Sequence, residues 1–248
     1  MGHSRVTVAR LTAPLALLLV AATLLAGCGW RSRDLQPGPW RGVLELPGGE
    51  LPFEMEVAQE DGGFVLTLVN GEERVRVTEV TVQEGRLSAV MPGQKNTLTA
   101  NISGDEMQGE VKLLHAGGEV QTLPFRAEHG KAWRFFEQPL TDNADVSGRW
   151  AVTFTDDAGK TTPAVAEFTQ SFGIVAGTVL TPTGDHRFLA GEIRDEELYL
   201  SRFDGASADL YRAKLNERGE LVGEHWSGRT SHRKFVALRN PDATLPAG

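Results

Sequence analysis

The sequence predicts an all-β fold: two repeated antiparallel units, each a β-meander or small barrel, that follow an N-terminal lipoprotein signal peptide. Glycine supplies 28 and proline 12 of the 248 residues, and no long stretch shows the 3.6-residue apolar spacing of a helix. Short β-rich runs alternate instead with turn residues, as in GFVLTLVNG at 63–71 and RVRVTEVTV at 74–82. The two halves also match each other at an offset of about 110 residues.

The N-terminus has the parts of a secretory signal. Arg5 and Arg10 give it a positive start, and residues 11–26 carry no charge. This apolar run is short for a bilayer span, which takes about 20 residues. We therefore expect residues 1–27 to be a cleaved signal peptide rather than a membrane helix.

The sequence LLAGC at 24–28 looks like a bacterial lipobox, in which the signal is cut before the cysteine. The resemblance implies a lipid anchor on Cys28, with a diacylglycerol thioether and usually an acyl chain such as palmitate on its amine. Gly29 stands where an aspartate would resemble an inner-membrane retention signal, so we expect an outer-membrane lipoprotein that faces the periplasm. The alternative is an ordinary signal peptide with a chance cysteine.

Composition excludes several functions. The formal net charge is −8 at pH 7, whereas nucleic-acid binders carry basic surfaces, so we expect no nucleic-acid partner. Acidity also argues against a polybasic membrane contact, so the lipid must provide the anchor. Cys28 is the single cysteine, which leaves no disulfide, no Cys-x-x-Cys pair and no cysteine metal site once it is lipidated.

An internal duplication organises the mature chain. GPW at 38–40 matches GRW at 148–150, and VTVQEGRLSA at 80–89 matches GEIRDEELYL at 191–200, with apolar residues and glycines in common. Each copy should be a meander of about seven or eight strands, closed or nearly closed so that few edges are bare. In chain order we expect a signal peptide (1–27), a tether (28–37), β unit 1 (38–130), a linker (131–147), β unit 2 (148–240) and a C-terminal tail (241–248).

Residues 143–193, LYLSRFDGASADLYRAKL and GELVGEHWSG resemble the N-terminal β region of bacterial TlpA-like thiol-disulfide reductases. GGELPFEMEV and FRAEHGKAWRF resemble the first half of that region, so the likeness covers roughly 38–246. In that family a thioredoxin-fold domain with Cys-x-x-Cys follows, but this chain ends where that domain would begin. The resemblance therefore implies an accessory β module without the catalytic part, and a possible thioredoxin-fold partner.

Polar and aromatic residues concentrate in the second copy and form a candidate ligand or partner pocket. If neighbouring strands bring them together, they would line a barrel mouth, as convergent polar groups beside an aromatic wall do in small-molecule sites. Alternatively, FDG and WSG are turn sequences and the histidines are exposed loop residues. The candidates are His186, Arg202, Asp204, His225, Trp226 and His232.

No cofactor, metal site or catalytic residue is predicted. His186, His225 and His232 have the right ligand type for zinc, but their spacing fits no tight motif. No Gly-x-Ser-x-Gly arrangement indicates a serine hydrolase. We therefore expect a protein that is not an enzyme.

Four aromatic residues have expected structural roles. Trp40 and Trp150 occupy matching places in the two copies, and we expect them to plug the ends of the barrels. Phe135 and Phe136 lie in the linker, where they clamp the two units together or mark a partner surface.

Two functional hypotheses follow. The first is a lipid-anchored, non-catalytic accessory module for a thiol-disulfide system, which predicts an exposed apolar patch on an outer wall or at the junction of the units. The second is a lipocalin-like carrier or sensor of a small molecule or lipid, which predicts a cavity rather than a filled interior.

Overall fold

The structure is a computed structural model that describes residues 1–2, 33–93, 95–114, 118–138 and 143–246. Cys28 and all but the first two residues of the predicted signal peptide lie outside the described residues. Within those residues no helix has the length and hydrophobicity that a membrane crossing requires. One compact unit spans Arg31–Gly248 and contains both sheets. The prediction of an all-β chain with two repeated barrel-like units is confirmed.

The first unit is a nine-stranded antiparallel sheet that curls almost into a barrel. Its strands are β1 (Gly38–Leu46), β2 (Gly49–Glu60), β3 (Gly63–Asn70), β4 (Glu73–Val77), β5 (Glu79–Gln83), β6 (Arg86–Val90), β7 (Thr97–Ser103), β8 (Glu106–Leu114) and β9 (Val120–His129). They pair in the order β4-β3-β2-β1-β9-β8-β7-β6-β5, so β4 and β5 form the two edges. Because the single residue Thr78 separates the end of β4 from the start of β5, the chain itself crosses the gap there.

The second unit is a closed eight-stranded barrel in which each strand pairs with the next and β10 pairs with β17. Its strands are β10 (Gly148–Asp156), β11 (Thr161–Ser171), β12 (Ile174–Thr181), β13 (Gly184–Arg194), β14 (Glu197–Phe203), β15 (Ala208–Leu215), β16 (Glu220–Ser227) and β17 (Ser231–Arg239). Closure leaves this unit without an edge strand, the usual protection against edge-to-edge association.

The two tryptophans occupy the same structural position in both units, as the repeat predicts. Trp40 and Trp150 are completely buried. Each indole Nε1 donates to the backbone carbonyl four residues earlier, Gln36 at 2.9 Å in the first unit and Val146 at 3.0 Å in the second. Because both side chains bury a large apolar area and satisfy their polar atom locally, they close one end of each unit.

The two units share a hydrophobic core. Phe203, Ala208 and Leu210 come from β14 and β15 of the second unit but are buried in the core of the first. The Phe203 ring lies 4.8 Å from that of Phe53. Asn70 donates to the carbonyl of Phe203 at 2.9 Å and accepts from its amide at 3.1 Å. These contacts make the two units one packed body.

The linker is anchored between the units by Arg134 and the two phenylalanines. Arg134 is 3% exposed and donates to the carbonyls of Pro52 and Val69 in the first unit and to Ser201 Oγ in the second. The rings of Phe135 and Phe136 contact Tyr199 of the second unit, with centroids 5.6 and 5.2 Å away. Phe135 also packs against the first core, as a clamp between the units requires. Part of the predicted linker, residues 139–142, lies outside the described residues.

Candidate functional site

Four of the six predicted pocket residues lie at one end of the closed barrel, among them His232 at the start of β17. His186 lies near the start of β13, Arg202 near the end of β14 and His225 near the end of β16. Because neighbouring strands run in opposite directions, these positions share the same end of the barrel. We call this end, where β10, β12, β14 and β16 finish, the barrel mouth.

Strand pairing aligns three polar side chains across the mouth. Tyr211 pairs with His225, and His225 pairs with Arg233. We call these three residues the polar row. In the first unit, the equivalent pairings join Leu98, Val111 and Leu123, so the same row is apolar there.

A buried carboxylate supports the polar row from beside it. Asp209 Oδ1 lies 3.0 Å from His225 Nε2, and the two side chains are 3% and 0% exposed. Arg233 Nη2 lies 3.2 Å from His225 Nδ1. Because a guanidinium can only donate, Nδ1 must accept and the imidazole proton sits on Nε2, where it is donated to Asp209. The tautomer and orientation of His225 are therefore fixed from both sides.

Asp209 stays ionised in this environment. Burial works to raise the pKa of its carboxyl, but the hydrogen bond with His225 and the positive charges around it outweigh burial and hold the pKa at about 2. Arg202 contributes to that charge, with Nη1 3.5 Å from Asp209 Oδ2. A buried charge is tolerated only when it is paired and hydrogen-bonded in this way.

His186, which is half-buried, and Tyr211, which is buried, form a second hydrogen-bonded pair at the mouth. His186 Nδ1 lies 2.5 Å from the Tyr211 hydroxyl, and the Tyr211 ring stacks on His225 with centroids 4.2 Å apart. Burial lowers the pKa of His186 to about 4 and raises that of Tyr211 well above its usual value. Burial also lowers the pKa of His225. Both imidazoles and the phenol are therefore neutral near pH 7.

The barrel mouth holds side chains of the types that bind metal ions, but their arrangement favours hydrogen bonding over metal coordination. His186, Asp209 and His225 each offer one ligand atom, and these atoms lie within 4.8 Å of one another. A metal on His225 Nε2 would force the proton onto Nδ1, directly against the donating Arg233. Arg202 adds a second positive charge beside Asp209. His232, a member of the zinc set weighed from the sequence, is bonded elsewhere to Asp157 and Glu224.

An open cleft of about 550 Å³ lies over the polar row. Its walls carry more polar than apolar surface, with hydroxyl, carboxylate, imidazole and guanidinium groups. The lining residues are Asp156, Asp157, Ala158, His186, His225, Ser227, Thr230, Ser231, His232 and Arg233. The cleft therefore offers hydrogen-bond donors and acceptors above a fixed, buried imidazole.

The interior of the barrel below the mouth is filled by side chains. The residual cavity among Phe154, Phe168, Leu200 and Phe235 is about 10 Å³, roughly the space of one water molecule. A ligand of this barrel would therefore lie at the mouth and not in the interior.

The other predicted pocket residues have more local roles. Asp204 pairs with Arg202, and its Oδ1 accepts the amides of Ala206 and Ser207, as the turn interpretation of FDG proposes. Trp226 packs against the first core and stacks on His232 at 5.4 Å, and only His232 of these two lines the cleft.

The sequence analysis missed Asp209, Tyr211 and Arg233. A signal for Asp209 was present in ADLYRAKL, because Asp209 shares a strand face with Tyr211, Ala213 and Leu215. An acid on the apolar face of a strand indicates a paired, buried carboxylate.

Comparisons with known proteins add no function. No protein-family profile and no curated protein matches the chain. Among solved structures, the chain is similar to a protein of unknown function from the DUF3598 family of Nostoc punctiforme PCC 73102. That match has 14% identity and a TM-score of 0.28, and it covers 83% of this chain and 95% of the other.

Proposed function

We propose that this chain is a non-catalytic binding protein of the bacterial cell envelope that takes a small hydrogen-bonding ligand in the cleft at the barrel mouth. The lipid on Cys28 would hold it at the outer membrane, facing the periplasm. The observation that carries the proposal is the polar row beneath an open cleft, at positions that are apolar in the first unit. The two-barrel all-β fold is compatible with a lipocalin-like binding protein, but the filled interior of the closed barrel contradicts the internal cavity that a lipocalin-like carrier predicts, so the proposed site is the mouth.

The energetic cost of the polar row supports a functional reason for it. A buried ion pair contributes little net stability, and apolar residues of similar volume often serve at least as well. The first unit shows that this backbone accepts an apolar row. A buried Asp209 charge, with His225 and Arg233 fixed around it, is therefore better explained by recognition than by folding.

The cleft favours a neutral polyhydroxylated or a zwitterionic ligand. Asp156 and Asp157 provide negative charge and Arg233 provides positive charge, while Ser231 and Thr230 provide hydroxyl groups. A ligand with one strong net charge would meet repulsion from one side of the cleft. No reactive thiol is expected once Cys28 is lipidated, so the proposal assigns no catalysis.

To test the proposal, the lipid-anchored protein would be purified from its own envelope together with the small molecules that it binds. They would be released by heat and identified by mass spectrometry, with Ser231→Trp as the variant that fills the cleft from its exposed rim. Ser171→Trp is the matched control, because Ser171 is also exposed but lies at the opposite end of the same barrel. We expect one polar compound with the wild type and the control and none with Ser231→Trp. Equal recovery from both variants would contradict the cleft as its site.

A second candidate is an accessory module for a thioredoxin-fold partner, as the resemblance to the TlpA-like β region implies. It is favoured by an exposed apolar patch on the outer wall of the second barrel. Val222 pairs with Val236, and these residues and Leu238 are 44%, 41% and 50% exposed. Affinity purification from the envelope, with Cys28→Ala and Val236→Lys as variants, tests it. Recovery of a thioredoxin-fold protein that is lost in both variants would support this function over the first.

A further inference from the structure

A second groove lies at the junction of the two units, away from the barrel mouth. It has a volume of about 270 Å³. Trp133, Phe136 and Ile174 supply apolar walls, and Glu54 and Glu192 supply carboxylates. We call this site the junction groove. It combines residues of the first unit, the linker and the second unit, so it exists only because the two units pack together.

Glu192 is an unusual member of the groove. It is 3% exposed, and its carboxylate accepts the backbone amide of Phe135 at 3.2 Å. Burial raises the pKa of this carboxyl. The backbone amide of Arg134 also interacts with this carboxyl. Because each carboxylate can accept about four hydrogen bonds, Glu192 still retains unused acceptor capacity.

The internal cation next to Glu192 is committed elsewhere. Arg134 uses its Nη atoms on the carbonyls of Pro52 and Val69 and on Ser201, and its Nε lies 3.6 Å from Glu54. The guanidinium thus makes its hydrogen bonds to other groups of the junction, and its positive charge acts on the Glu192 carboxyl from a distance, where it lowers the pKa. Glu137 adds a further carboxylate at the rim of the groove.

The aromatic walls are suited to positive charge as well as to apolar contact. Arg41 lies 3.9 Å from the Trp133 ring centroid, and Arg194 lies 4.5 Å from that of Phe136. Both rings therefore already accept a cation at one face. Trp133 Nε1 is buried with no hydrogen-bond acceptor among the described residues.

We propose that the junction groove is a binding site for a small organic cation, with its ammonium group on Glu192 and its apolar body between Trp133, Phe136 and Ile174. A bound ammonium would give the buried Glu192 charge a direct ionic partner, in addition to the charge of Arg134 that stabilises it from a distance. This site is independent of the cleft at the barrel mouth.

Isothermal titration with n-butylammonium tests the assignment, with 1-butanol and butyrate as probes of the same apolar body. We expect butylammonium to bind with a Kd on the order of 1 mM, as suits so few atoms, and at least about tenfold more tightly than either control probe. Butanol binding as tightly as butylammonium would overturn the proposal, because it would show an apolar groove without recognition of charge. Absence of butylammonium binding up to about 50 mM would overturn it equally.

Two variants locate the site. Glu192→Gln keeps an acceptor for the Phe135 amide but removes the charge, and we expect it to weaken butylammonium at least about tenfold and leave butanol unchanged. Glu79→Gln, an exposed carboxylate on β5, should change neither. The indole N–H signal of Trp133, identified in nitrogen-15 spectra by its loss in Trp133→Phe, should shift on titration while that of Trp150 does not. Unchanged affinity in Glu192→Gln, or an unmoved Trp133 signal, would refute the site.

Discussion

The two units share the same order of strands but differ in how the sheet closes into a barrel. In the second unit, β13 runs unbroken and pairs with both β12 and β14. In the first unit, the equivalent stretch is split at Thr78 into β4, which pairs with β3, and β5, which pairs with β6. Closure therefore depends on whether one long strand can bend and still bond on both sides.

Glycine explains much of that difference. A Cβ at Gly191 of β13 would collide with the backbone carbonyl of Tyr199, and one at Gly177 of β12 would collide with that of Glu167. The repeat places Val80 and Leu66 at the equivalent positions of the first unit. Close approach of neighbouring strands needs positions without a side chain, so the first unit cannot close along the same path.

The units also differ in what covers their mouths. The apolar row of the first unit is buried with Phe203, Ala208 and Leu210 from the second unit in one core. The polar row of the second unit faces a cleft instead. The same backbone positions thus serve apolar packing in one copy and carry a polar network in the other, where we propose ligand recognition.

The largest expected effect is loss of the shared core in Phe203→Ala. Its ring is completely buried and contacts Phe53 of the other unit, so the variant should lose about 4 kcal/mol of unfolding free energy in urea. Phe188→Ala, at a ring that is 36% exposed, is the control and should lose less than about 1 kcal/mol. Similar losses in both variants would mean that the units do not depend on each other's packing.

Asp209→Asn should have the next largest effect. It leaves Arg202 and the donating Nε2 of His225 without their buried anion, which costs about 3 kcal/mol. Asp157→Asn removes a carboxylate that is 77% exposed at the same mouth and should cost less than about 1 kcal/mol. Chemical denaturation of both variants at pH 7 measures the difference. A small loss in Asp209→Asn would show that the carboxylate is not buried as a charge.

Gly191→Ala tests the account of closure, with an expected loss of about 2 kcal/mol because the strand backbones must separate. The matched change in the open unit, Val80→Ala, removes part of a half-buried side chain and should cost about 1 kcal/mol. Hydrogen exchange should show faster opening of β13 and β14 in Gly191→Ala alone. Unchanged protection of these strands would contradict the role of this glycine.

The sequence predicted the repeat well because turn glycines and buried tryptophans must keep their places in any copy of this sheet. It also placed His186, Arg202 and His225 at one end of a barrel, since polar residues at strand ends stand out against an apolar pattern. It could not assign Phe203 to the other unit's core, because strand alternation shows that a residue is buried but not against which unit. Trp226 was taken for a pocket wall for the same reason, although its ring packs at the junction.

The smallest predicted effect is a pH dependence of the unfolding free energy. We expect it from the polar mouth of the second unit and not from the apolar mouth of the first. The folded-state pKa of His186 is about 4, below its usual 6.5, so the unfolded chain takes up the proton first as the pH falls. Stability should therefore be unaffected by His186 at pH 7.5 and fall as pH drops from 6.5 towards 4. At pH 5.5 the loss should be about 1 kcal/mol.

His186→Gln should remove that part of the pH dependence, whereas His232→Gln, at the rim of the same cleft, should retain it. Urea denaturation of the three proteins at pH 7.5 and 5.5 gives the comparison. If His186→Gln and the wild type lose the same free energy between these pH values, the imidazole of His186 is not held neutral by burial. The difference between the two mouths would then lie in Asp209, His225 and Arg233 alone.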